Sequence, residues 1–148
     1  MKKESSKPRV VLDTKPFIKL FAKEDGWENV QKILVRIENG EIAAFINVVT
    51  LTEIYYKYLH EKRADLATAR IQELKYAVYL EKIEISEDVA IKAGEFKGKY
   101  NIPIADSFIA ATAFFENATV ISDDADFGKI AEIRTLTEKE LVQSENFQ

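Results

Sequence analysis

Short β-branched runs alternate with helix-length segments along almost the whole of this chain, and no other feature constrains its fold so strongly. "RVVLD" (9–13) is such a run, stopped by an acid, and reads as a buried strand. "EIAAFIN" (41–47), "LEKIEIS" (80–86), "TVIS" (119–122) and a short stretch near "EIRTL" supply further strands. Between them lie helical patterns. "TKPFIKLFAKE" offers Thr14 as a cap with Pro16 in the first turn. Residues 26–40 space Val30, Ile33, Leu34 and Ile37 helically and stop at Asn39-Gly40. Residues 48–63 set Thr50 and Glu53 at capping-box spacing. A fourth helix is predicted over 64–80, with Leu66, Ala69, Ile71, Leu74 and Val78 among its apolar positions. A fifth, over 86–100, has Ser86 as its cap and Val89, Ala93 and Phe96 on one face. The segment 102–118 starts near Pro103 and is apolar nearly all round from Phe108 to Phe115, which predicts a central, buried helix. One helical turn follows in "DFGKIA", and the tail "TEKELVQSENFQ" has room for another. Residues 1–8 read as a polar lead-in. Strands alternating with helices predict an α/β layer with a parallel sheet and right-handed crossovers, in one domain over 1–148.

Composition narrows the chemistry. A chain of 148 residues buries about two thirds of its unfolded surface, so its core needs no staples. There are no cysteines, which excludes a disulfide framework, thiolate zinc sites and a cysteine nucleophile. His60 is the only histidine, so histidine-rich metal sites are excluded and a Ser-His-Asp triad would have to use it. It lies on the polar stretch "YLHEKR", where a surface position is expected. No apolar run approaches the roughly 20 residues that span a bilayer. "MKKESSKPR" leads to only "VVL" before Asp13, so a signal core is lacking and a cytoplasmic location is expected. The net charge of −4 argues against broad nonspecific binding to nucleic acid. It does not exclude a nuclease, because acids gathered at a metal site inflate the negative count.

Acids collect where strands end. Asp13 closes the first strand, and Asp123, Asp124 and Asp126 follow the fourth. In an open parallel sheet, ligands bind at the carboxyl ends of the strands. Asp106 starts the buried helix, and Glu53 sits in the first turn of the helix after the second strand. Each acid alone has a local explanation: a strand-end turn, a helix start or a solvated loop. An EF-hand fits poorly, because Gly128 falls where a ligand is wanted counting from Asp124. Two carboxylates about 5 Å apart repel by roughly 3 kcal/mol at an effective dielectric near 20. A cap returns about 1 kcal/mol. Four acids in one pocket must therefore take up protons, pair with bases or bind cations. An all-oxygen set suits hard ions such as Mg²⁺ or Mn²⁺.

Taken together, "VVLDTKPFI", "VVTLTEIYY", "IPIADSFIAATA" and "VISDDADF" resemble, in order and separation, the motifs of the PIN domain, the nuclease domain of VapC-type toxins in toxin–antitoxin pairs. The resemblance covers about residues 9–135. It implies a three-layer α/β/α sandwich around a central parallel sheet. It also implies an acidic pocket of Asp13, Glu53, Asp106 and Asp124, with Asp126 close by, holding one or two Mg²⁺ or Mn²⁺ ions. Thr14 and Ser122 would donate hydrogen bonds to these carboxylates. Lys15 stands where the family commonly has Ser or Asn, so it would either touch a substrate phosphate or occupy the pocket of a metal-free form. The implied activity is hydrolysis of RNA phosphodiester bonds, with a second copy of the chain and a small antitoxin as partners. Two alternatives stay open on the residues: a non-catalytic PIN-like RNA-binding module, and a phosphotransfer domain of the receiver or dehalogenase kind.

Overall fold

Alternate residues of each strand feed two different cores. The computed structural model describes residues 7–144. The lead-in and tail read from the sequence lie outside it at positions 1–6 and 145–148. Strands β1 (Arg9–Leu12), β2 (Ala43–Asn47), β3 (Leu80–Ile83), β4 (Thr119–Ile121) and β5 (Arg134–Leu136) form one sheet, every pair parallel, in the order β3-β2-β1-β4-β5. Val10, Leu12, Ala44, Ile46 and Ile121 point to one face. There they meet Phe17 of α1 (Thr14–Ala22), Ile33 of α2 (Trp27–Glu38), Ile54 of α3 (Val49–His60), Leu74 of α4 (Ala64–Lys75) and Leu141 of α7 (Glu138–Gln143). Val11, Phe45 and Val120 point to the other face, against Phe96 of α5 (Glu87–Tyr100) and Ile109 of α6 (Ile104–Glu116). The period-2 alternation of the strands thus builds the three-layer α/β/α sandwich that the sequence predicts.

The chain runs β1, β2, β3 outward on one side, then returns through α5 and α6 to lay β4 on the other side of β1. Leu12 pairs with Ile121, and the Asp13 N–H donates to the Ile121 carbonyl at 3.2 Å. The carboxyl ends of β1 and β4 are therefore level, and this is the switch point of the sheet.

Several helix ends differ from the sequence reading. Asp13, not Thr14, caps α1, its side chain accepting from the Thr14 N–H. Thr50 lies inside α3 and is wholly buried, so no Thr50–Glu53 capping box forms. Asn47 takes that duty instead: its Oδ1 accepts from the Val49 N–H at 2.8 Å, while its Nδ2 donates to Thr112 Oγ1 on α6 at 2.9 Å. Helix α4 ends at Lys75, and the turn into β3 leaves Val78 94% exposed. Within α4 the core takes Ala67, and Ala69 faces solvent. Helix α6 is buried from Ile109 through Ala113, but its last turn leaves Phe114 and Phe115 partly in water even though Phe114 packs edge-on against Phe96 of α5. Ser86 caps α5 and Val89, Ala93 and Phe96 are buried, as their spacing predicts. Thr137 and Glu140 form the capping box of α7.

Candidate metal centre

The "SDDAD" stretch folds as a chain of side-chain-capped turns. Ser122 Oγ donates to Asp13 Oδ2 at 2.7 Å and accepts from the Asp124 N–H at 2.9 Å. Asp124 Oδ1 accepts from the Asp126 N–H at 2.9 Å, capping a 3₁₀ turn over Ala125–Lys129. One buried hydroxyl thus ties the acid after β1 to the loop after β4. The other Asp13 oxygen accepts from the Thr14 N–H at 2.7 Å.

Two helices bring further acids to this point. Asp106 lies half-buried in the first turn of α6. One carboxylate oxygen from each of Asp106, Asp124 and Asp126 lies within 4.8 Å of the other two. Glu53, on α3, accepts from the Thr14 hydroxyl at 2.5 Å, and that hydroxyl lies 3.1 Å from Thr50 Oγ1. Asp13, Glu53, Asp106 and Asp124 line one cavity of about 380 Å³, together with Thr14, Lys15 and Tyr56. Asp126, expected beside the pocket as an auxiliary metal residue, belongs to the tightest group, whereas Asp13 and Glu53 are held in the wall by their own hydrogen bonds. A second cavity, about 300 Å³, opens at the amino ends of the strands and is lined by Lys7, Arg9 and Arg134 with no carboxylate.

The cluster is electrostatically strained. Loss of water raises the Asp106 pKa from 3.8 to about 7, helped by the charges of Asp13, Asp124, Glu53 and Asp126. Burial raises Asp13 to about 6. The hydrogen bonds from Ser122 and Thr14 pull it down, and Glu53 and Asp124 push it further up. Among the described residues no cation pairs with Asp13, Glu53, Asp106 or Asp124; Lys129 pairs with Asp126 at 2.8 Å. Lys15 is exposed at the cavity wall and forms no ion pair with these acids, so it does not fill the pocket. An all-oxygen donor set with unneutralised charge fits a hard divalent cation.

One contact escaped the sequence reading, and one tyrosine of "IYYKY", a stretch that reads more readily as packing than as RNA stacking, lines the cavity. Asp123 turns away from the cavity to Lys19 Nζ at 2.7 Å, and Lys19 also holds Glu138 Oε1 at 2.8 Å. Lys19 and Glu138 stand 119 positions apart, so no spacing could announce them. Tyr56 joins the cavity from the helix face of Glu53, and their i, i+3 separation does carry that signal.

The PIN domain family model matches residues 10–133. No curated protein matches the sequence significantly. Among solved structures, the chain is similar to a chain of VapBC2 from Rickettsia felis bound to a promoter DNA fragment, at 20% identity and a TM-score of 0.71, covering 87% of this chain and 98% of that one. It is similar to a chain of DNA-bound VapBC from Salmonella typhimurium at 19% identity and a TM-score of 0.69, over 88% and 98% of the two chains. A chain of FitAcB from Neisseria gonorrhoeae gives 21%, 0.65, 88% and 98% in the same order. These likenesses speak for the fold. The strand order differs from the 2-1-3-4-5 of a receiver, and it is the PIN domain match that speaks against the dehalogenase alternative. A model match over most of the length, on a fold shared with these structures, makes this chain a member of the PIN domain family.

Proposed function

We propose that this PIN domain is a Mg²⁺- or Mn²⁺-dependent endoribonuclease that hydrolyses RNA phosphodiester bonds as the toxin of a type II toxin–antitoxin pair. The observation that carries the reading is the convergence of Asp13, Glu53, Asp106, Asp124 and Asp126 at the sheet's switch point without a cation to neutralise the first four. Asp13, Asp106 and Asp124, with Asp126 and Glu53 beside them, would hold the metal. A bound divalent ion lowers the pKa of water toward neutrality and stabilises charge on the leaving oxygen. Ser122 fixes the angle of Asp13, and Thr14 that of Glu53, by the hydrogen bonds described above. Lys15, exposed at the wall, is placed to meet a substrate phosphate.

The toxin reading draws on neighbouring structures, two of which are toxin–antitoxin systems by name, one from Klebsiella pneumoniae and VapBC-5 from Mycobacterium tuberculosis. Its protein partners are a second copy of the chain and a small antitoxin. Exposed Val35, Tyr55 and Leu59 on α2 and α3 give apolar surface for such contacts. No helix among the described residues is long and apolar enough to cross a membrane, in keeping with the cytoplasmic location this role requires.

The test is cleavage of structured RNAs by purified protein. We expect cleavage with Mn²⁺, none in EDTA, and recovery when Mn²⁺ is added back in excess. Cleavage that continues unchanged in EDTA contradicts the proposal.

A further inference from the structure

We infer that Tyr56, backed by His60, is the platform on which an unpaired base of the RNA substrate stacks beside the acidic cavity. The inference rests on the nuclease reading above and adds to it the residues that select single-stranded sites.

Helix geometry starts the argument. Residues three and four apart share a helix face, so Glu53, Tyr56 and His60 form a stripe along α3 that leads out of the cavity. Glu53 and Tyr56 both line the cavity. The rings of Tyr56 and His60 are stacked, with centroids 5.7 Å apart and planes at 22°. Nearby tyrosines are used differently: Tyr58 is 5% exposed and packs in the core, whereas Tyr56 is 65% exposed. An aromatic ring left this far in water contributes little to folding. Held against a second ring, it has less rotamer freedom to lose on binding.

Chemistry then points to a base. Every nucleobase has a π face, and a protein aromatic stacks on it whatever the sequence. A duplex hides those faces, so stacking selects unpaired nucleotides. The net charge of −4 argues against a general electrostatic hold on RNA. Grip at the site must come from the metal, from Lys15 on the same cavity and from stacking.

The experiment uses single-stranded oligoribonucleotides of mixed sequence carrying 2-aminopurine, whose fluorescence is quenched by stacking. Binding is measured with Ca²⁺ in place of Mg²⁺ in protein that keeps Asp106, so that the oxygen-lined site holds a divalent ion while turnover is suppressed. Cleavage is measured with Mn²⁺ in protein that keeps Asp106. We expect Tyr56→Ala and Tyr56→Leu to lose the quench and to weaken binding by about 5- to 150-fold, the range for one stacked base. Tyr56→Phe and Tyr56→Trp should keep both. An oligonucleotide with abasic positions should bind Tyr56→Ala and Tyr56 proteins equally, which a merely structural role would not produce. Unchanged quench and affinity in Tyr56→Ala overturns the inference. So does a loss shared by Tyr56→Phe, or a loss traced by sedimentation to a changed oligomer. If the quench pattern holds but no RNA is cleaved, the nuclease reading fails and the stacking platform stands. If RNA is cleaved equally with and without the Tyr56 ring, only the platform fails.

Discussion

Asp106→Asn is expected to slow RNA cleavage by at least ~100-fold, the scale on which loss of one preorganised electrostatic contact slows an enzyme. In metal-free protein at pH 8 the same change is expected to raise the melting temperature. Both effects have one cause. Asp106 sits within reach of Asp124 and Asp126, beside Asp13 and Glu53, and its charge is opposed by burial and by all four. The folded protein binds a proton at Asp106 up to about pH 7 and at Asp13 up to about 6, whereas an unfolded aspartate releases its proton near 3.8. Between these limits the folded state holds more protons, so stability falls as pH rises and levels off above about 7. At pH 8 the metal-free protein carries the whole repulsion, and an asparagine does not. Asp106 is half-exposed, so water screens part of the effect; a gain of roughly 1–2 kcal/mol is expected. That corresponds to roughly 2–8 °C for a domain of this size. At pH 5 the difference should shrink. Undiminished cleavage would remove Asp106 from the site, and a lower melting temperature at pH 8 would remove the repulsion.

Lys19→Met is expected to cost about 3 kcal/mol of stability, read as a fall in melting temperature of roughly 6–12 °C. The Lys19 side chain is 13% exposed and that of Glu138 3%, so removing the ammonium strands a buried carboxylate. Burial works against the charge of Lys19, but its bonds to Asp123 and Glu138 outweigh this and hold its pKa above the usual value. At Glu138 burial wins over Lys19 and raises the carboxyl pKa, and its Oε2 has no hydrogen-bond partner among the described residues. The pair therefore tolerates its site more than it stabilises it, and breaking it is worse than never having it. Asp123 is 48% exposed and can return to water, which keeps the expected cost at the lower end for a buried pair. The double variant Lys19→Met/Glu138→Leu should recover most of the loss. A double variant no more stable than Lys19→Met would show that the buried carboxylate is not the cause.

What was legible in the sequence was local. The β-branched runs give the strands because each presents alternate residues to two cores, as Val10, Val11 and Leu12 do. Apolar spacing places the helices to within a few residues, and Ser86 signals a cap that forms. Asp13, Glu53, Asp106 and Asp124 stand at strand ends and helix starts, which a parallel sheet can bring to one rim, but that they share one pocket is implied by the resemblance to the PIN domain and not by their spacing. The rest depended on contacts between distant residues. Thr50 looks like a cap, but burial against Thr14 takes it into the helix and leaves capping to Asn47. Val78 fits a helical stripe, yet the chain must turn at Tyr76 to enter β3. Asp126 reads as an auxiliary of the pocket, but only the 3₁₀ turn, which no spacing announces, puts it in the tightest group with Asp106 and Asp124. Lys19 and Glu138 lie at opposite ends of the chain and meet only because α7 packs back beside α1 and α2.

Calorimetric titration of Mn²⁺ into metal-free protein, at pH 6 and pH 8, tests the metal centre most directly. Because Asp13 and Asp106 hold protons in that range, binding should be saturable, tighter at pH 8, accompanied by proton release, and largely lost in Asp106→Asn. Absence of saturable binding at pH 8, or binding indifferent to Asp106→Asn, would contradict the account and leave a non-catalytic PIN-like module in its place.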